Sequence, residues 1–287
     1  MLWSVLSKYT RKWEGKMVDV AGLAEVLKPE IEEAYGKLPY FEFRSNDSPP
    51  AYTPKTPWAI NVDNEMRAWF VEYYPNNVNV YSESWNGIAY LIQALIHDIS
   101  HLYQMEPERN KVGKPWRETG FSKTTTRQSP KSRSAFNHWS EGGAELAAYK
   151  ILSGILFGRK NYNELLREIG QFFQNGDGAD LKTYMENYFL GSFAQKIIIL
   201  CKHGALANPS LKELALPFNV TKNAQSTIEQ RAEKYLFEPV KHYNFRLAYS
   251  LGLMRCGAIV AAGDMTIAEI LRTPITSRKL RELANSN

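Results

Sequence analysis

The sequence predicts an α+β fold, with a small, mainly antiparallel sheet near the N-terminus followed by a predominantly helical domain. Alternating aromatic and β-branched segments are confined to residues 40–81. After Ser82 the apolar residues recur with helical spacing. With 287 residues, of which 44% are hydrophobic and 23% charged, the chain is long enough to bury a sizeable core.

The predicted elements follow one another in a simple order. Residues 1–36 have helical spacing, with a second short helix expected from Pro29 to about residue 37. Strands are predicted over 40–44, 58–62, 69–74 and 77–81. Helices are predicted over about 86–105, 139–158, 161–174, 179–205 and 227–262, with a last one after Asp264. We therefore expect the helices and small sheet of residues 1–85 to form one compact unit with the helical region 86–287.

Several classes of protein do not fit this composition. The longest uncharged apolar run, residues 87–96, is about half the length of a membrane span, which argues against a membrane protein. The N-terminal residues have no apolar core with a small-residue cleavage site, so we expect a cytoplasmic protein. The two cysteines, Cys201 and Cys256, exclude a disulfide framework and a cysteine-based zinc knuckle.

The positive charge is concentrated in one segment. Residues 109–133 contain eight basic residues and one acidic residue, Glu118, although the net charge of the whole chain is only +5. Because this stretch is rich in Ser, Thr, Gly and Pro and lacks an apolar period, residues 107–136 are predicted to form an exposed loop. Such a loop suits a lid or a guide for acidic substrates. Its aromatic residues, Trp116 and Phe121, are too few for a nucleic-acid stacking platform, so no nucleic-acid partner is expected.

A histidine pair in the first long helix of the helical region suggests a metal site. His97 and His101 are four residues apart and therefore lie on one helical face. This spacing lets two imidazoles bind one ion, although a hydrogen-bonded pair of core histidines would show the same pattern.

Two carboxylates occur with the same spacing about 40 residues downstream. Glu141 and Glu145 flank the small residues 142–144, and glycine inside a helix costs about 1 kcal/mol. A close approach to the histidine helix would explain that cost, with Glu141 as third metal ligand and Glu145 accepting a histidine ring N–H. His138 is expected to support the site from outside the ligand set. A solvated acidic helix start remains the alternative.

These residues resemble the gluzincin group of zinc metallopeptidases, whose pattern is H-E-x-x-H followed by a downstream metal-binding Glu. His97 and His101 match the two histidines. Residues 139–145 (WSEGGAE) look like the third-ligand segment of that group, with one residue fewer between Trp and Glu141. Asp98 stands where the family has its catalytic glutamate.

The resemblance implies a zincin-like domain, a Zn²⁺ cofactor and hydrolysis of an amide bond in a peptide or protein substrate. Two imidazoles and one carboxylate leave zinc an open position for water, and Asp98 would act as general base. Aspartate is one methylene shorter than glutamate, which moves its oxygens back by about 1.5 Å and can cost about a hundredfold in rate.

A degenerate zinc-binding protein, which docks an acidic partner through the basic loop, is therefore the alternative. A phosphohydrolase of the H…HD…D type needs a histidine before His97, and the chain has none.

A polar stripe near the C-terminus could stabilise the oxyanion. His242, Arg246 and Tyr249 fall at i, i+4 and i+7 of one predicted helix, and Tyr249 with Gly252 looks like the late Tyr-x-x-Gly segment of some gluzincins. An amphipathic helix with its polar face in solvent would show the same pattern. His203 stands beside Lys202 and is expected at the surface.

Overall fold

The computed structural model describes most of the helical region and part of the N-terminal region. The described residues are 10–13, 16–38, 41–45, 58–62, 86–109, 130–158, 162–172, 178–214, 218–237 and 243–273.

The described elements are mainly helices. The helices are α1 (Val20–Tyr35), α2 (Asn86–Arg109), α3 (Pro130–Phe157), α4 (Asn163–Phe172), α5 (Gly178–Lys202), α6 (Lys222–Tyr235), α7 (Tyr243–Ala261) and α8 (Ile267–Arg272), with a short 3₁₀ turn at Lys212–Leu214. The strands are β1 (Thr10–Trp13), β2 (Lys16–Asp19), β3 (Phe41–Ser45) and β4 (Trp58–Val62).

The predicted α+β class with a small, mainly antiparallel sheet is wrong. The described residues are predominantly helical, and their strands form only two separate pairs. β1 pairs antiparallel with β2, within a region that the sequence predicted to be helical, whereas β3 and β4 are parallel. The other predicted strands, 69–74 and 77–81, lie outside the described residues. Short aromatic and β-branched runs reveal a local strand preference but not the number or direction of the partners, which is why the sheet was overestimated.

Some helix boundaries also differ from the prediction. The predicted helix 227–262 is divided into α6 and α7. α2 continues to Arg109 and α3 begins at Pro130, so both helices extend into the predicted basic loop, of which residues 110–129 lie outside the described residues. Proline is favoured in the first turn of a helix because its missing N–H has no partner there in any case.

Among the described residues, no helix combines the length and hydropathy that a membrane span requires.

The described core is built around α3. This helix packs against α2, α7 and α8, while α5 packs against α4, α6 and α7. Trp139 on α3 is buried, and its indole N–H donates to the carbonyl oxygen of Thr273 just after α8 at 3.1 Å. Further along α3, the buried Tyr149 ring contacts Phe189 and Phe193 of α5 in edge-to-face geometry. These contacts hold α3 against α5 and against the segment that follows α8.

Two glycines explain how closely α3 approaches α7. A Cβ placed on Gly142 would lie 2.3 Å from the carbonyl carbon of Gly252, so the two backbones touch at this crossing. The sequence predicts that Gly142 contacts the histidine helix, but its contact is with α7. Gly143 lies near both α8 and the histidine helix, since its Cβ would be 3.0 Å from Ile270 Cγ2 and 3.4 Å from Gln104 Nε2. The close crossing therefore serves mainly to bring α7, with Tyr249, toward α2 and α3.

Candidate metal centre

Three predicted ligand side chains meet between α2 and α3. His97 and His101 project from α2, and Glu141 projects from α3. The Nε2 atoms of the two histidines are 3.1 Å apart. Glu141 Oε2 lies 3.2 Å from His97 Nε2 and 3.4 Å from His101 Nε2. We refer to His97, His101 and Glu141 as the inner cluster.

The spacing of these three atoms fits a shared metal ion. Ligand atoms held about 2.0–2.1 Å from a tetrahedral zinc ion are separated from one another by about 3.3 Å. The three separations in the inner cluster, 3.1, 3.2 and 3.4 Å, bracket this value. The donor set of two imidazoles and one carboxylate is also one that zinc accepts, with a fourth position left open.

A second group of side chains lies behind His97. Its Nδ1 is 3.0 Å from Glu145 Oε2, which also accepts a hydrogen bond from Gln93 Nε2 at 2.9 Å. The other oxygen of Glu145 contacts the ammonium group of Lys196 on α5. We refer to Glu145, Gln93 and Lys196 as the outer cluster. Gln93, Lys196 and the ring of His97 all present hydrogen-bond donors to Glu145, so its carboxyl group is ionised and acts only as an acceptor.

The outer cluster fixes the tautomer of His97. Because Glu145 only accepts, the hydrogen bond between them requires a proton on His97 Nδ1. A neutral His97 must then carry its lone pair on Nε2, facing the inner cluster. A carboxylate behind a liganding imidazole orients the ring and increases its basicity in the same way in zinc proteins.

The tautomer of His101 is fixed independently. Gln104 Nε2 donates to the backbone carbonyl of Ser140 at 2.7 Å, and this contact determines which end of the amide carries its oxygen. Gln104 Oε1 lies 2.7 Å from His101 Nδ1 and also accepts from Ser140 Oγ at 2.9 Å. His101 Nδ1 must therefore donate, so a neutral His101 also presents its Nε2 lone pair to the inner cluster.

Three lone-pair donors thus converge on one point. Two imidazole Nε2 atoms and the Glu141 carboxylate repel one another at these distances unless a positive charge lies between them. In the metal-free protein a proton can supply that charge. Burial opposes the charge on His97, but hydrogen bonds to Glu141 and Glu145 outweigh it and raise the pKa of His97 to about 10.

The two glutamates respond to the same environment. Burial favours their neutral forms, but the neighbouring cations have the larger effect. Lys196 and His97 lower the pKa of Glu145 to about 2. The two histidines lower the pKa of Glu141 well below its usual range. Both carboxylates are therefore ionised at neutral pH, where they can accept hydrogen bonds or bind a cation.

Asp98 lies beside the inner cluster, and one of its carboxyl oxygens is unpaired among the described residues. Its side chain is buried, and among the described residues its Oδ2 has no hydrogen-bond partner. Burial raises the pKa of Asp98 to about 7, with the two histidines partly opposing the shift. Ligand atoms of His97, Asp98 and His101 lie within 4.8 Å of one another and form an alternative three-residue metal group. We assign the third ligand to Glu141 because its carboxylate lies within 3.4 Å of both Nε2 atoms.

The other predicted site residues are only partly visible. Tyr249 on α7 is near the site, with its ring centroid 5.7 Å from that of His97. His242 and the side chains of Arg246 and His138 lie outside the described residues. His203 is exposed just after α5.

The sequence did not predict several residues of the site. Gln93 precedes His97 by four positions and Gln104 follows His101 by three, so both lie on the histidine face of α2, but a glutamine at such a position has no distinctive pattern. Lys196 is a single cation next to the apolar run 197–200. A buried lysine is rare without a partner, and this was the available sequence clue.

Comparison with protein families, with curated proteins and with solved structures found no match to this chain.

Proposed function

We propose that the inner cluster binds Zn²⁺ and that the protein is a zinc-dependent hydrolase, a metallopeptidase that cleaves an amide bond. The supporting observation is the convergence of two Nε2 atoms and one carboxylate oxygen within 3.4 Å of one another. Hydrogen bonds to Glu145 and Gln104 set both lone pairs inward, which a pair of core histidines alone would not require.

The residues around the cluster suit hydrolysis. Bound zinc would polarise a carbonyl group and make a water molecule more acidic. Asp98 follows the first histidine and has a buried, unpartnered oxygen, so we assign it as the general base that accepts the water proton. Tyr249 is the candidate donor to the oxyanion.

The substrate proposal rests on charge. The segment 109–133 carries eight basic residues and follows directly from the end of α2, the helix that holds both histidines. A positively charged segment raises the local concentration of acidic ligands. We therefore propose a peptide or protein substrate of acidic character.

A non-catalytic zinc-binding protein is the second candidate. It would use the same three ligands and dock an acidic partner through the basic segment. The observation that favours it is Asp98 itself, because its shorter side chain stands where the resembling peptidases have a glutamate, and its Oδ2 has no hydrogen-bond partner among the described residues.

Metal content tests the zinc site directly. We expect about one zinc ion per chain in the purified protein by mass spectrometry of the metal, and none in the double variant His97→Ala, His101→Ala. His203→Ala is the matched control because it removes an exposed imidazole outside the cluster and should leave zinc bound. Absence of zinc from the unaltered protein after loading with the metal would contradict the proposal.

Substitutions of Asp98 separate the two candidates. For an enzyme, Asp98→Asn should lower peptide hydrolysis by about 10²–10⁴-fold while zinc stays bound, because only the proton acceptor is removed. If the unaltered protein is inactive and Asp98→Glu gains hydrolysis, the protein is a degenerate enzyme. Hydrolysis by the unaltered protein that persists in Asp98→Asn would remove Asp98 from the mechanism.

A further inference from the structure

Lys196 is an unusual neighbour for a metal site because its charge lies on the far side of the histidine from the ligands. It projects from α5 with its side chain only 12% exposed and contacts Glu145. Its Nζ also lies 5.4 Å from the ring centroid of Tyr149 and 6.0 Å from that of Tyr249. Burying a lysine is costly, so this contact with Glu145 calls for a compensating role.

The two oxygens of Glu145 have separate partners. Oε1 contacts Lys196, and Oε2 accepts from Gln93 and lies 3.0 Å from His97 Nδ1. Gln93 is itself held by Tyr188 of α5, whose hydroxyl donates to Gln93 Oε1 at 2.8 Å. α5 therefore anchors the carboxylate twice, directly through Lys196 and indirectly through Tyr188.

We propose that Lys196 is a positioning residue, which holds Glu145 as a pure acceptor and thereby keeps His97 in the tautomer that presents Nε2 to the metal. This inference rests on the proposed zinc site. Without the ammonium group, Oε1 loses its partner and the carboxylate can turn away from Nδ1. The His97 proton can then move to Nε2, where it points at Glu141 and blocks the metal.

Zinc affinity and histidine tautomers test the role of Lys196. Lys196→Met should weaken zinc binding by about 10–100-fold in competition with a chelator. Lys196→Arg keeps the charge and should restore affinity to within about threefold. Lys182→Met is the matched control, because Lys182 is on the same helix but forms only a surface pair with Glu186 at 4.0 Å. It should leave the affinity unchanged.

Nitrogen-15 NMR reports the state of each imidazole nitrogen of His97, which a change in fold stability alone would not alter. In the zinc-loaded protein the His97 signal should report Nε2 bound to zinc and an Nδ1–H hydrogen-bonded to Glu145, and Lys196→Met should weaken that hydrogen bond. If Lys196→Met does not fold, the double variant Lys196→Met, Glu145→Gln removes both charges together. We expect this variant to fold and still to bind zinc about 10–100-fold more weakly.

The outcomes distinguish this inference from the proposed function. Zinc binding by the unaltered protein, together with an unchanged affinity and an unchanged Nδ1–H hydrogen bond of zinc-loaded His97 in Lys196→Met, would overturn the role of Lys196 alone. Wild-type affinity in the double variant would do the same. No zinc binding by the unaltered protein would overturn the zinc site and this inference with it.

Discussion

The inner and outer clusters each contain a glutamate of α3, but the two carboxylates have opposite electrostatic surroundings. Glu141 and Glu145 are one turn apart on α3 and both lie close to His97. Around Glu145 the donors are complete, with the ammonium group of Lys196, the amide of Gln93 and the Nδ1–H of His97. Around Glu141 the neighbours are two Nε2 atoms that carry lone pairs when the imidazoles are neutral, so this cluster needs a cation or a proton to complete it.

The difference shows what makes a buried carboxylate structural or ligating. A carboxylate surrounded by donors contributes to the fold, and removing it leaves buried charge unpaired. A carboxylate surrounded by acceptors is stabilised only by a cation, so its main effect is on binding.

The largest effect is expected from neutralising the outer carboxylate. Glu145→Gln leaves the buried Lys196 ammonium unpaired, so the free energy of unfolding of the metal-free protein should fall by about 3–5 kcal/mol. Glu141→Gln should cost only about 1 kcal/mol, because Glu145 still pairs with His97. Urea unfolding in the presence of a chelator measures both values.

Zinc affinity should show a different order. Glu141→Gln removes a ligand and should abolish stoichiometric zinc binding, whereas Glu145→Gln, where it folds, should only weaken it. Equal losses of stability for the two variants would break the distinction between the clusters.

A moderate effect is expected at the helix crossing that positions both clusters. Gly142→Ala would place a Cβ 2.3 Å from the backbone of Gly252, so α3 and α7 must separate. The cost should be about 3 kcal/mol, at the upper end for overpacking. Gly154→Ala is the control on the same helix, since its Cβ would meet nothing within 4 Å, and it should stabilise the protein by up to about 1 kcal/mol. Thermal unfolding compares the pair, and a neutral Gly142→Ala would argue against the close crossing.

The smallest expected effect is the change in zinc affinity for each unit of pH. The pKa of His97 is raised from 6.5 to about 10 in the metal-free protein, so its proton stabilises this form fully below pH 6.5, and the contribution is lost as the pH rises through about 10. Zinc must displace that proton. The affinity should therefore rise about tenfold, or about 1.4 kcal/mol, for each pH unit between about pH 6.5 and 8.5. Chelator competition across this range measures the slope, and a flat profile would show that no proton is displaced from the inner cluster.

The sequence was most informative where the relevant spacing is local. The separation of four residues in His97 and His101, and again in Glu141 and Glu145, fixes which side chains share a helical face, and the structure brings these two faces together. The sheet was predicted wrongly because pairing is not local, and the same aromatic segment can form part of a sheet or a single pair of strands. Gly142 was recognised as a point of close approach, but its partner, Gly252, lies 110 positions away and could not be identified.

The residue types and their periodicity by themselves determined a helical histidine pair, a helical glutamate pair and a concentrated positive segment. The two pairs follow from the periodicity of a helix, and the positive segment follows from composition alone. Only the tertiary structure decided that Glu141 faces lone pairs while Glu145 faces Lys196, because that depends on which helices pack against α3. The physical reason is that spacing along a helix specifies a face, whereas the charge and hydrogen bonds that meet this face come from distant parts of the chain.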